Sequence, residues 1–472
     1  MTIYMITFIV YLVAMMAIGF LFKGQASKST SSFFVANRGL GFIVMVGTLV
    51  GTALGGGVTL GTVGMAYNGG FYCWTLSLAG ALGYLALAFL AGKLYKTQAI
   101  TTPDILAARF GKAGRFLSSI FNLLFNVVVV AGQIIAMGTV IQFVLGVNFV
   151  TGMIITTIVF VVYTMFGGMY AVAYTDVVQS VFIIGGLLYI LIFVLTQVGG
   201  FGNAVSILKA TTDASYFSFT APGADFLSSY FLYTIFGIVT MQVAHQRIFA
   251  ASSEATAKKS TFTLFFIIVI TYIIPPIIGM VGRVLMPGLD NPQNTIPLLV
   301  RDMMPPVAGA FVFLALMSVM MSTADSTLLS LASNIVQDFY VPLSGKSEDE
   351  IGEKKIVLIS RIVMIVMAAI GLLVAVNNTL LMPLQVFRLT VLASAMTVPL
   401  LAALFWKRAT KLAGILSMAL GGFGCMIWEA LGSPAGIASI YVGLALSLIA
   451  MVAVSYAQKP EMAMIPSWMN EK

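Results

Sequence analysis

Thirteen long apolar runs, joined by mostly short polar connections, constrain this chain more than anything else in it. They cover 3–22, 40–67, 71–95, 116–143, 148–167, 170–196, 226–245, 262–286, 306–337, 357–377, 380–405, 411–431 and 435–457. About 20 apolar residues in a helix cross the hydrocarbon core of a bilayer. Lipid offers the backbone no hydrogen-bond partner, so such runs fold as helices. The expected class is an all-α polytopic membrane protein with 13 transmembrane helices. Only 8% of the residues are charged, against about 25% in a soluble domain. The first run, Ile3 to Phe22, has no basic segment before it and no small-residue cleavage motif. It reads as a retained span rather than a signal peptide.

The cations are placed unevenly. With the N-terminus outside, twenty of the 24 Lys and Arg fall in inner connections or the tail, from Lys23, Lys28 and Arg38 through Arg109 and Arg247 to Lys459 and Lys472. Lys209, Arg283, Arg301 and Arg388 are the exceptions. The positive-inside rule then predicts N-out, C-in and an odd number of spans. The net charge of +8 follows from this topology, so nucleic acid is not an expected partner. The bilayer is the expected partner. Cys73 and Cys425 both lie in apolar runs and form no CxxC pair, so neither a disulfide framework nor a thiolate metal site is expected. A single histidine, His245, cannot build a His cluster. With no paired catalytic carboxylates and no nucleophile motif, an enzyme is not expected.

Two spans look broken. The second holds Gly47, Gly51, Gly55, Gly56, Gly57 and Gly61, and three consecutive glycines make a poor continuous helix. Close GxxxG packing of Gly47, Gly51 and Gly55 is the competing explanation. The seventh holds Gly237, then Thr240, Gln242, His245 and Gln246. Five spans separate the two starts, which predicts an inverted five-helix repeat with discontinuous second and seventh helices and binding near the midplane. The expected division is an extra helix and first inner loop (1–39), two repeats (40–225 and 226–410) and two further helices with a short tail (411–472). Pro275 and Pro276 should kink span eight.

Span nine carries a polar stripe. Ser322, Ser326, Ser330 and Ser333 share one helical face, with Thr323 and Asp325 beside it. In a membrane helix this face must look at protein, water or an ion. Interhelical hydrogen bonding explains one or two such hydroxyls, not the six that 319–333 hold, Thr327 included, with a carboxylate. Asp176, with Gln179 one turn on, is a second intramembrane carboxylate; a helix cap or an inner-loop ion pair is the structural alternative. Backbone carbonyls freed at the span-two break, set against Ser322 and Thr323, would suit a hard cation such as sodium.

The stretches GGMYAVAYTDVVQ, QRIFAASSEATAKKS and MSTADSTLLSLAS together resemble the sodium/solute symporter family over about residues 30–410. The resemblance implies the leucine-transporter fold and a sodium-coupled secondary active symporter that imports a small organic solute by alternating access, in the plasma membrane (the inner membrane in a bacterium). It implies one sodium between the second-span break and span nine. The ligands would be the carbonyls of Gly51, Leu54 and Val319 and the hydroxyls of Ser322 and Thr323. A second sodium would use Asp176, Asp325 and Ser326, with Ser322. The motifs lie nearest the choline branch, but positions 53, 129 and 241 hold Ala53, Val129 and Met241 where tryptophans would cage a quaternary amine.

What remains for the solute is Thr52, Ala53, Gly55, Gly56, Gly57, Cys73, Ser77, Val129, Gln133, Met241 and Gln242, a small, largely apolar and uncharged set. Amides at a glycine break can hold a carboxylate, which favours an amino acid or monocarboxylate. His245 reads as an interfacial residue near the inner end of its span. The rivals are a proton-coupled transporter of the same fold, with Asp176 or Asp325 as carrier, and a transporter-like sensor or channel.

Overall fold

The computed structural model describes residues 2–377, 381–459 and 465–469. The expected start of the eleventh span at 380 and the last basic residue, Lys472, lie outside them. Among the described residues there are helices and no strands. The first half of the bundle comprises α1 (Thr2–Leu21), α2 (Phe42–Ala53), α3 (Thr62–Gly69), α4 (Tyr72–Lys96), α5 (Thr102–Leu145) and α6 (Phe149–Gln197). Then follow α7 (Ala224–Thr240), α8 (Gln242–Ala250), α9 (Glu254–Thr271), α10 (Ile274–Leu285) and α11 (Pro306–Ser333). The bundle ends with α12 (Glu353–Asn377), α13 (Leu381–Phe405), α14 (Lys411–Ala430) and α15 (Ser439–Ala457).

Eleven single spans among the described residues are long and apolar enough to cross a membrane, and twelve when the bent pair α2–α3 counts as one. Thirteen were expected. The difference lies in α6, where the expected spans 148–167 and 170–196 run together into 49 residues. At 1.5 Å per residue that is about 74 Å, more than twice a hydrocarbon core of about 30 Å. The helix is interrupted at Gly168, whose φ of 52° and ψ of −145° are non-helical. A Cβ there would meet the Phe33 carbonyl at 2.6 Å, so both backbone conformation and crowding require glycine.

Both expected breaks are present. α2 ends at Ala53, Leu54 leaves the helix with φ −98° and ψ 62°, and a π-helical turn over Gly57–Gly61 leads into α3. The two segments meet at 49°. The packing explanation of the glycines holds as well. Cβ atoms on Gly47, Gly51 and Gly55 would press on Val177, Asp176 and Thr323 respectively, each at 3.0 Å or closer. Small residues thus let α2 approach α6 and α11. The seventh span breaks at Met241, extended at φ −69° and ψ 108° between α7 and α8. Pro275 and Pro276 stand in the first turn of α10, and the helix pauses just before them.

α11 is the central post. Every residue from Ala315 to Ser333 is buried, against α5 and α6. The hydroxyl stripe therefore faces protein rather than lipid.

Candidate functional site

The α2 break and α11 bring four of the five predicted cation ligands together through hydrogen bonds. The Ser322 hydroxyl donates to the Gly51 carbonyl at 2.8 Å and to the Val319 carbonyl at 3.2 Å. The Thr323 hydroxyl donates to the same Val319 carbonyl at 3.2 Å. Leu54 is the residue at which α2 stops; its N–H still bonds Val50, but its ψ turns the carbonyl away from the helical direction. Hydroxyl and carbonyl oxygens converging without a fixed cation are the donor type that sodium takes.

Asp176, Asp325, Ser322 and Ser326 also gather, but around a residue that sequence reasoning put in an inner loop. Arg247 on α8 is fully buried. One end of its guanidinium lies 3.5 Å from Asp176 Oδ2 and donates to the Ser326 hydroxyl. Its Nε donates to Thr48 Oγ1 at 3.0 Å, and Thr48 in turn donates to Asp176 Oδ2 at 2.5 Å. Asp325 accepts from Tyr163 at 2.6 Å and from Ser326 at 3.1 Å. Asp176 Oδ1 has no hydrogen-bond partner among the described residues; it faces Gly51, where a Cβ would lie 3.0 Å away. Gln179 bonds Tyr11, not this cluster.

Above Thr323 opens a cavity of about 830 Å³. Of the predicted solute residues, Thr52, Ala53, Gly55, Gly57, Ser77, Val129, Gln133 and Met241 line it. Gly56 stands behind the wall, its N–H held by the Gln133 side-chain carbonyl at 3.1 Å. Two expectations fail. Cys73 packs in a separate apolar cluster with Ala66 and Tyr216. Gln242 points the other way, to the Ser330 carbonyl, Ser333 and Asn334. The cavity is not uncharged either: Arg388 and Glu429 line it, with Tyr84, Tyr230, Tyr233 and Tyr272. Arg388 was visible in the sequence as one of two exceptional cations inside a span, with Arg283. The tyrosines, divided between α4, α7 and the turn before α10, carry no common spacing signal.

The cavity reaches toward the α14–α15 connection, at Ser433 and Ala438, and the start of α7. The opposite end is sealed by side chains. Thr101 and Asn334 both donate to Asp338, at 2.9 Å each. Arg115 pairs with Asp104 at 3.0 Å and approaches Asp338 at 3.9 Å. Arg38 donates to the backbone of Gln98 and Phe249. His245 belongs to this seal, not to an interface: it is fully buried, its ring nitrogens 2.8 Å from Thr102 Oγ1 and from the Val239 carbonyl. Arg109, also counted as a loop cation, is buried against the Lys407 and Ala409 carbonyls.

Known proteins resemble this chain over nearly its whole length. The chain is 24% identical over 465 residues to the osmoregulated proline transporter OpuE of Bacillus subtilis (strain 168), covering 95% of this chain and 94% of that one. It is 25% identical over 401 residues to the sodium/pantothenate symporter of Haemophilus influenzae (strain ATCC 51907 / DSM 11121 / KW20 / Rd), covering 83% and 82%. In fold it matches a substrate-bound, outward-open Na+-coupled sialic acid symporter with a TM-score of 0.83 at 20% identity, over 97% of this chain and 98% of that one. The family model for sodium:solute symporters matches residues 33–421, and the chain belongs to the sodium:solute symporter family, whose members are membrane transporters that use sodium.

Proposed function

We propose that this sodium-coupled symporter takes up a small solute bearing a carboxylate, with one sodium per solute. The observation that carries the reading is the position of Thr323. Its side chain bounds the solute cavity and at the same time bonds the Val319 carbonyl beside Ser322. A cation held by Gly51, Leu54, Val319, Ser322 and Thr323 would tie the α2 break to α11 and stiffen the wall on which solute rests. Two ligands that favour the same arrangement raise each other's affinity by the same factor. The hydroxyl protons of Ser322 and Thr323, now on carbonyls, would turn away as the ion takes those oxygens.

Charge supports a single ion. Two buried carboxylates, Asp176 and Asp325, face one buried guanidinium, Arg247, which leaves one negative charge uncompensated in a low-dielectric interior. One sodium at the adjoining Ser322 site neutralises the group. Arg247 then stands where a second sodium would.

The solutes named for the two relatives, proline and pantothenate, differ in size but share a carboxylate. The N-out, C-in topology turns the cavity outward and the Asp338 seal inward. The halves 40–225 and 226–410 then rock around the midplane site, with 1–39 and 411–472 appended. With a zwitterion such as proline one net charge moves, and 100 mV supplies about 2.3 kcal/mol, enough for a roughly fifty-fold solute gradient; with an anion such as lactate the sodium cancels the charge and the sodium concentration gradient alone drives uptake.

The test is uptake into proteoliposomes of proline, pantothenate or lactate under an inward sodium gradient. Accumulation with sodium and none with potassium, with a Hill coefficient near 1 for sodium, is expected. Accumulation driven by a proton gradient without sodium would overturn the coupling; a coefficient near 2 would overturn the single ion.

A further inference from the structure

We propose that Arg388 is the residue that holds the solute's carboxylate, a role that rests on the carboxylate solute proposed above. Arg388 lies on α13, half-buried, and lines the cavity between Phe387 and Leu389. Its guanidinium carbon sits 4.4 Å from the centroid of the Phe125 ring. Phe125, Val129 and Gln133 fall at i, i+4 and i+8 on α5 and all line the cavity. The stacked arginine is therefore one turn from Val129 on the wall that leads to the glycine break. Thr323 and Thr327 on α11, also one turn apart, line the same cavity. A carboxylate on Arg388 would leave the rest of a small solute over Thr323, the residue shared with the cation site.

Chemistry favours arginine for this task. An arginine in a spanning segment is costly to bury and marks a solute or ion path. Stacking on an aromatic ring engages the face of the guanidinium and fixes its plane; its N–H edge matches a carboxylate in bidentate fashion. Glu429 lines the same cavity and is the group an amine solute would seek instead.

The experiment is thermal melting of purified full-length protein in sodium. The probes are proline, pantothenate and lactate, each beside its uncharged counterpart (prolinamide, pantothenol, lactamide), with choline as the amine. At least one acid should raise the melting temperature of the wild type, and its uncharged counterpart should not. In Arg388→Gln the acid's apparent affinity should fall on the order of 30-fold or more, while the shift caused by sodium alone persists and reports a folded protein. Arg388→Lys should recover part of the acid response. An acid response unchanged in Arg388→Gln would overturn the role of Arg388. An uncharged counterpart or choline acting as well as the acids, or no acid acting where sodium does, would overturn the carboxylate class and leave the sodium reading intact. Loss of the sodium shift in the wild type would instead sink the reading beneath both.

Discussion

The two broken spans do similar architectural work with different chemistry. The α2–α3 break is made of glycine, and what it presents is backbone: carbonyls toward Ser322 and a bare Gly57, with nothing within 4 Å of a Cβ position, toward the cavity. The α7–α8 break is a single extended methionine, and what it delivers is side chains. α8 carries Gln242, His245, Gln246 and Arg247 into the core, all buried. The first break is suited to an ion that needs oxygens. The second places a permanent cation and a set of hydrogen-bond donors beneath it.

Removing the side-chain half should have the largest effect. Arg247→Gln leaves Asp176 and Asp325 buried without their cation, and should lower stability by about 3–5 kcal/mol, seen as poor yield and a depressed melting temperature. Wild-type melting would show that the guanidinium is dispensable. Next is the backbone half. A Cβ on Gly55 would lie 2.9 Å from Thr323 Oγ1, so Gly55→Ala should weaken sodium binding by about 1–3 kcal/mol. Gly57→Ala meets no neighbour, and its sodium titration should stay within about twofold of wild type; equal damage from both would make the break a matter of helix propensity alone. Thr323→Val keeps the shape and removes one ligand, for about a tenfold loss of sodium affinity. The smallest effect is expected at the seal. Asp338→Asn keeps the size but weakens the bonds from Thr101, Asn334 and Arg115, and should speed hydrogen exchange in 242–250 without changing sodium affinity.

The asymmetry between the breaks also explains what could be read in advance. Three glycines in an apolar run announce a break, because no other residue tolerates that packing and freedom together. The serine face of span nine announces a buried polar surface, because lipid cannot accept it. Hence the fold, the pairing of Ser322 with Gly51 and the part of the cavity wall around the glycine break were legible in the sequence. Arg247 was not, because an arginine just after an apolar run satisfies the positive-inside rule wherever its side chain goes. His245 and Gln242 were misplaced for a related reason: helix length shows depth, but not whether a polar side chain turns toward the cavity or the seal. A signal was present nonetheless. Gln242-Val-Ala-His-Gln-Arg247 is too polar for a lipid-facing turn and holds no turn-forming residue, which is the mark of a buried polar helix. The span count differs at α6, where two helices are joined end to end at Gly168 with a non-helical backbone but no loop between them.

We propose one sodium between the α2 break and α11, held in part by Ser322. Equilibrium binding of radiolabelled sodium to purified protein, wild type beside Ser322→Ala, tests it most directly. One ion per chain in the wild type, lost or weakened at least about tenfold in Ser322→Ala, is the predicted result. Two ions per chain, or one ion bound as tightly in Ser322→Ala as in the wild type, would contradict it.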